Sequence, residues 1–108
     1  MLNLILRIDE LTSDREMVIP QLTGCDLAML YNGKAMGYSI PSGSIVFLKK
    51  MTPDEIIPGL EYVIVCQKII TLRIVRTSER DSEWRLVAAD RENFDDILVK
   101  ASDIEQVY

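Results

Sequence analysis

Histidine is absent from the 108-residue chain, cysteine occurs twice, tryptophan once, and proline and glycine number only four and five. Without imidazole there is no Ser-His or Cys-His dyad, no histidine-bearing zinc site and no side chain that titrates unperturbed near neutrality. Cys25 and Cys66 are far apart and each lies beside apolar residues. They are expected to be reduced packing residues, with no metal knuckle or disulfide framework implied. No apolar run approaches the roughly 18 residues of a membrane span. The N-terminus also lacks a basic flank followed by a small-residue cleavage site. A cytoplasmic protein is expected, with no membrane partner, metal or small-molecule cofactor.

Basic charge is scarce as well. The chain carries 12 lysines and arginines against 17 acidic residues, a net charge of −5. From Thr77 onward nine acidic residues face four basic ones, so the whole deficit lies in that segment. Phosphate neutralisation needs clustered Lys and Arg, and no basic stripe is present. By itself the chain is not expected to bind DNA strongly.

What is abundant is short apolar runs broken by turn residues. With 48% hydrophobic and 27% charged residues, the composition suits one domain with one modest core. Residues 1–20 read as an N-terminal arm with a short helical turn. The apolar run Leu2 to Leu6 suits a strand or arm, and Ser13 and Glu16 have capping-box spacing. Residues 21–108 read as a β domain. Strands are expected at Leu27 to Tyr31, Ser44 to Leu48, Glu61 to Cys66, Ile69 to Arg76 and Trp84 to Ala89, with short ones at Ile97 to Val99 and Ile104 to Tyr108. Asn32-Gly33 suits a tight reversal, Pro41-Ser42-Gly43 marks a second turn, and Asp90 to Asp96 is an acidic loop. Thr52, Pro53 and Glu55 spell a helix start that Pro58-Gly59 stops within about one turn. Gln67-Lys68 joins two β runs as a hairpin without the usual Asn or Gly. In the second run, Ile70, Leu72 and Ile74 are expected on one face and Thr71, Arg73 and Val75 on the other.

The order of these segments carries a resemblance. Cys25-Asp26-Leu27-Ala28-Met29, Gly33-Lys34-Ala35-Met36, Ile40-Pro41-Ser42-Gly43-Ser44-Ile45-Val46 and Gly59-Leu60-Glu61-Tyr62-Val63-Ile64 together resemble the C-terminal domain of LexA-type and phage CI-type repressors. The resemblance spans most of the chain. It implies a mainly β, LexA/signal-peptidase-like fold: short curled antiparallel sheets, a small barrel-like core and little helix. It also implies a Ser-Lys peptidase site, with the serine in a Gly-Asp-Ser-Met box and the lysine in a later Lys-Arg pair.

Aligned in this way, the serine position is Ala35 and the lysine position is Leu72, directly before Arg73. The step of 37 residues is close to the family's interval. Lys34 and Ser44 stand where the family usually has aspartates, and Asp90 stands for an Asn in the segment Leu86 to Phe94. In a Ser-Lys dyad a neutral, desolvated amine takes the hydroxyl proton as serine attacks a carbonyl. Alanine supplies no nucleophile and leucine no base. No catalytic residue is therefore assigned, and Gly33, Lys34, Met36, Gly43, Ser44 and Arg73 are neighbours of the former site. An engineered serine-to-alanine change would explain Ala35 but not Leu72, Lys34 or Ser44. The family's cleavable Ala-Gly or Cys-Gly bond is expected at or before Met1.

Other candidates have plainer readings. Ser39, Ser42 and Ser44 with Lys34, Lys49, Lys50 or Lys68 would form a relocated dyad, yet lysines at turns and strand ends are ordinarily solvated ammonium groups. Met29, Met36 and Met51 read as core fillers, and Asp95-Asp96 as a solvated loop without the spaced ligands of a calcium site.

The resemblance implies a homodimer formed largely through the C-terminal region, and DNA contact only through an upstream or separate helix-turn-helix domain. The expected function is a non-catalytic dimerisation or interaction domain of a phage-repressor-like transcriptional regulator. Two alternatives stand beside it. One is a self-cleaving serine peptidase with a shifted dyad or an engineered knockout, and the other is a polymerase accessory subunit of the UmuD type.

Overall fold

In the computed structural model, residues 2–7, 25–67 and 69–108 are described, the first group by backbone alone. Eight strands form in chain order: β1 (Leu2–Arg7), β2 (Leu27–Tyr31), β3 (Ser44–Leu48), β4 (Glu61–Cys66), β5 (Ile69–Thr77), β6 (Glu83–Val87), β7 (Ile97–Lys100) and β8 (Ile104–Val107). The protein is mainly β. A curled antiparallel sheet of five strands, half of a barrel, runs in the order β7-β6-β5-β4-β8, and a smaller sheet runs β1-β2-β3. The start of the expected arm is thus a strand of the small sheet. The Ser13–Glu16 capping box and the arm boundary at residue 20 lie outside the described residues. Among the described residues no helix is long and apolar enough to cross a membrane.

The expected runs become strands to within two residues at each end, and β2, β3 and β4 have the expected bounds. Asn32-Gly33 differs from expectation. Neither residue has positive φ, and the tight reversal is not made there. The chain instead winds through turns from Lys34 to Ser39, with Gly37 at φ +56°, before Pro41 and Gly43 return it to β3. The physical reason is burial: Ala35 and Met36 are drawn under the loop, which a two-residue hairpin would not permit. Gly43, at φ +93°, donates its N–H to the Tyr31 carbonyl at 2.7 Å, and Ser44 N–H closes the turn onto Pro41 O at 3.1 Å.

Pro53–Glu55 forms a single 3₁₀ turn, as its short start-and-stop sequence requires. Beyond it Gly59, at φ +96°, and Leu60 both bond to Val75, a β-bulge that aims the chain into β4.

The large sheet is apolar on both faces because each covers a separate core. Register sets Val63 opposite Leu72 and Ile64 opposite Thr71, and successive side chains alternate faces. On one side Val63 and Leu72 pack with Met29, Tyr31, Met36 and Leu48 of the small sheet and its loop. On the other, Ile64, Val75, Leu86, Val99 and Val107 pack together with Tyr62. Each fully buried aliphatic side chain contributes about 1.5–3 kcal/mol relative to exposure. The face expected to carry Ile70, Leu72 and Ile74 is the one turned to the small sheet.

Candidate functional site

β6 pairs with β5 only from Ile74 to Thr77, so the first half of β5 has β4 on one side and no ladder partner among the described strands on the other. Hydrogen-bond parity shows which groups this leaves open. Val63 exchanges both main-chain bonds with Tyr108, each at 2.9 Å, and Val75 N–H donates to Leu60 O at 3.0 Å. Val63 therefore faces β8, Tyr62 and Ile64 face β5, and within β5 the main-chain groups of Ile70 and Leu72 point away from β4. At that open edge lies a cleft of about 200 Å³. It is lined from β5 by Leu72 and Arg73, from β2 by Met29 and Tyr31, from the following loop by Gly33, Lys34 and Ala35, from the acidic segment by Phe94 and from β7 by Ile97.

The loop carrying Ala35 is pinned at three points. Met36 N–H donates to the Tyr31 hydroxyl at 3.2 Å, Gly37 N–H to Lys34 O at 3.0 Å, and Asp90 N–H to Ala35 O at 3.0 Å. Gly37 comes close to Asp90 here, because a Cβ on it would lie 3.8 Å from the Asp90 Cβ. Ala35 and Leu72 are thereby held at 7% and 6% exposure on one cleft.

Arg73 is the one buried charged residue among those described, at 7% exposure. Its Nη1 donates to Asp95 O at 2.9 Å and its guanidinium lies 5.8 Å from the Phe94 ring centroid. Nε is buried without an acceptor among the described residues. Burial pushes the Arg73 pKa down, while Tyr31 and Asp96 pull it up. Arginine is so strongly basic that it keeps its charge regardless. Lys34 is exposed at the rim.

Of the residues singled out by sequence, Gly33, Lys34, Ala35, Leu72 and Arg73 meet at this cleft. Met36, Gly43 and Ser44 do not line it. Met36 is fully buried in the adjoining core, and Gly43 and Ser44 sit at the β2–β3 turn, where Ser44 Oγ donates to Pro41 O at 2.6 Å. Ser39 and Ser42 are exposed, as are Lys49 and Lys50, and none of them lines the cleft. Lys68 is outside the described residues. Met29 and Met36 belong to one core and Met51 packs on the other, so the three do not form one ligand set. Asp96 lies 3.7 Å from Arg85 and 3.4 Å from Arg91. Cys25 is half-buried and free; Cys66 is free too, its pKa pushed up first by burial and then by Glu105 and Asp103.

Sequence reasoning missed Tyr31, Phe94 and the Asp95 carbonyl. Phe94 had a visible signal, as the one aromatic residue within an otherwise acidic loop. The role of a carbonyl has none, because every residue type carries one.

Chemically, the cleft offers a cation, an apolar wall and strand-edge groups of β5 that no described strand pairs, and neither Ala35 nor Leu72 supplies a nucleophile or base. Comparison with protein-family models, with curated proteins and with solved structures gives no match to this chain.

Proposed function

We propose that the chain is a non-catalytic dimerisation and interaction domain of a phage-repressor-like transcriptional regulator, descended from a Ser-Lys self-cleaving domain of the LexA/CI type. The observation that carries this reading is that Ala35 and Leu72, far apart in sequence, line the same cleft with Arg73 beside them. A nucleophile and its base must meet in one place. Two positions that do meet, but hold a methyl group and an isobutyl group, fit a site whose framework outlasted its chemistry.

Exposed apolar side chains on edge strands support association with a partner. Ile45 and Phe47 stand exposed on β3, at the edge of the small sheet. Unpaired edges with apolar side chains are surfaces on which another chain pairs. DNA contact is assigned to a separate helix-turn-helix domain, consistent with the net charge of −5.

Sedimentation equilibrium on the purified chain tests the interaction role. A dimer with a Kd on the order of 1 μM or tighter is expected, equivalent to about 8 kcal/mol of association free energy. A species that stays monomeric well into the high micromolar range contradicts the dimerisation role.

A further inference from the structure

The cleft is electrostatically one-sided. Among the described residues its charged lining side chains are Lys34 and Arg73, both cationic, in a chain of net charge −5. Of the acidic groups nearby, two have other partners: Asp96 lies against Arg85 and Arg91, and Asp90 accepts from Asn93 Nδ2 at 2.9 and 3.2 Å. No ion pair to Arg73 occurs among the described residues.

A guanidinium has five N–H donors in a planar fork shaped for a carboxylate. Here one Nη1 hydrogen reaches a main-chain carbonyl, and Nε is buried with no acceptor among the described residues. Buried donors are ordinarily satisfied, and a buried cation is ordinarily paired with an anion. Arg73 has neither condition fully met, and it lines an open cleft. Beside it Leu72, Met29, Val63 and Ile97 supply an apolar wall. At about 200 Å³ the space lies below the roughly 300 Å³ at which pockets begin to hold drug-sized ligands. It suits one aliphatic group carrying one anionic head.

We infer that this cleft binds a carboxylate borne on a short aliphatic chain, with the carboxylate on Arg73, Lys34 closing over it from the rim, and the aliphatic part against Leu72 and Met29. The inference rests on Arg73 and the cleft, and does not depend on descent from a self-cleaving domain. Such a head and chain occur in a free aliphatic acid and in the C-terminal residue of a polypeptide ending in leucine. Both sources present the same chemistry to the same residues.

The test is a ¹H–¹⁵N NMR titration of the 108-residue chain with 4-methylpentanoate and with acetyl-leucine, each against its neutral carboxamide. Saturable shifts are expected at the amides of Gly33, Lys34, Ala35, Leu72 and Arg73, with a Kd on the order of 1 mM. The carboxamides are expected to bind at least about tenfold more weakly, because a charge-assisted bond is lost. Tighter binding of acetyl-leucine assigns the site to polypeptide C-termini, and tighter binding of 4-methylpentanoate assigns it to free acids; either supports it.

Arg73→Met is expected to abolish the shifts. Lys34→Gln, at an exposed position where the fold is not at stake, is expected to weaken binding about two- to fivefold. If Arg73→Met does not fold, the comparison of acid with carboxamide and the Lys34→Gln variant decide. Equal binding of acid and carboxamide, shifts scattered away from the cleft, or no saturable shift with either acid overturns the inference.

Discussion

Glu55 Oε1 accepts the main-chain N–H of Thr52 and the Thr52 hydroxyl, each at 2.9 Å. The main-chain bond first, and the hydroxyl second, hold the Glu55 carboxyl below the ordinary glutamate range. Since the folded value lies below the unfolded one, the bond's contribution to stability is complete above the unfolded value and is lost as pH falls through the folded value. Thr52→Ala keeps the main-chain bond and removes the hydroxyl. A carbon-detected NMR titration is expected to show the Glu55 midpoint rising part of the way to the ordinary range, and an unmoved midpoint contradicts this geometry. This turn was legible in the sequence because Thr52, Pro53 and Glu55 each fit a position that physical chemistry restricts. Gln67 was not. It takes φ +43° in the β4–β5 connection, a conformation that glutamine does not advertise, and it is set there by the pairing of Cys66 with Ile69 on either side.

Among the elements, β4 and β5 carry the most structure, since each buries side chains on both faces. Their sequences announced strands through β-branched composition, and the alternation of Ile70, Leu72 and Ile74 with Thr71, Arg73 and Val75 gave the two faces. Which core each face would meet was hidden, because it depends on the small sheet packing from outside the run. Likewise the strand expected from Trp84 to Ala89 ends at Val87. That early ending lets the chain turn away toward Asp90 and opens the edge where the cleft lies. Ile64, fully buried between β5 and β8, and Leu98, exposed on β7, test this division. In chemical denaturation followed by Trp84 fluorescence, Ile64→Ala is expected to cost about 2–5 kcal/mol. Leu98→Ala is expected to stay within about 0.5 kcal/mol. Comparable losses at both positions contradict the two-core arrangement.

Across the whole molecule, the cleft lies where the two sheets meet. The loop after β2 brings Ala35 to the open edge of β5, and the segment from Asp90 to Ile97 closes the same space around Arg73. Short apolar runs broken by turn residues conveyed the mainly β class, and the order of segments brought Ala35 and Leu72 to attention together. The pinning of that loop by Tyr31 and Asp90 could not be read, since it is made by one hydroxyl and one main-chain amide. If this is the framework of a lost Ser-Lys site, restoring both groups restores reactivity that neither gives alone. An amine introduced by Leu72→Lys occupies a position now 6% exposed. Desolvation there lowers its pKa and frees it to act as a base.

The decisive measurement is the rate at which a serine-directed acylating reagent modifies position 35, followed by intact-protein mass spectrometry at alkaline pH. The Ala35→Ser/Leu72→Lys double variant is expected to acylate about a hundredfold faster than Ala35→Ser alone, the scale of general-base assistance. A correctly folded double variant, verified by an unchanged circular dichroism spectrum, that reacts no faster than the single variant would contradict descent from a Ser-Lys site.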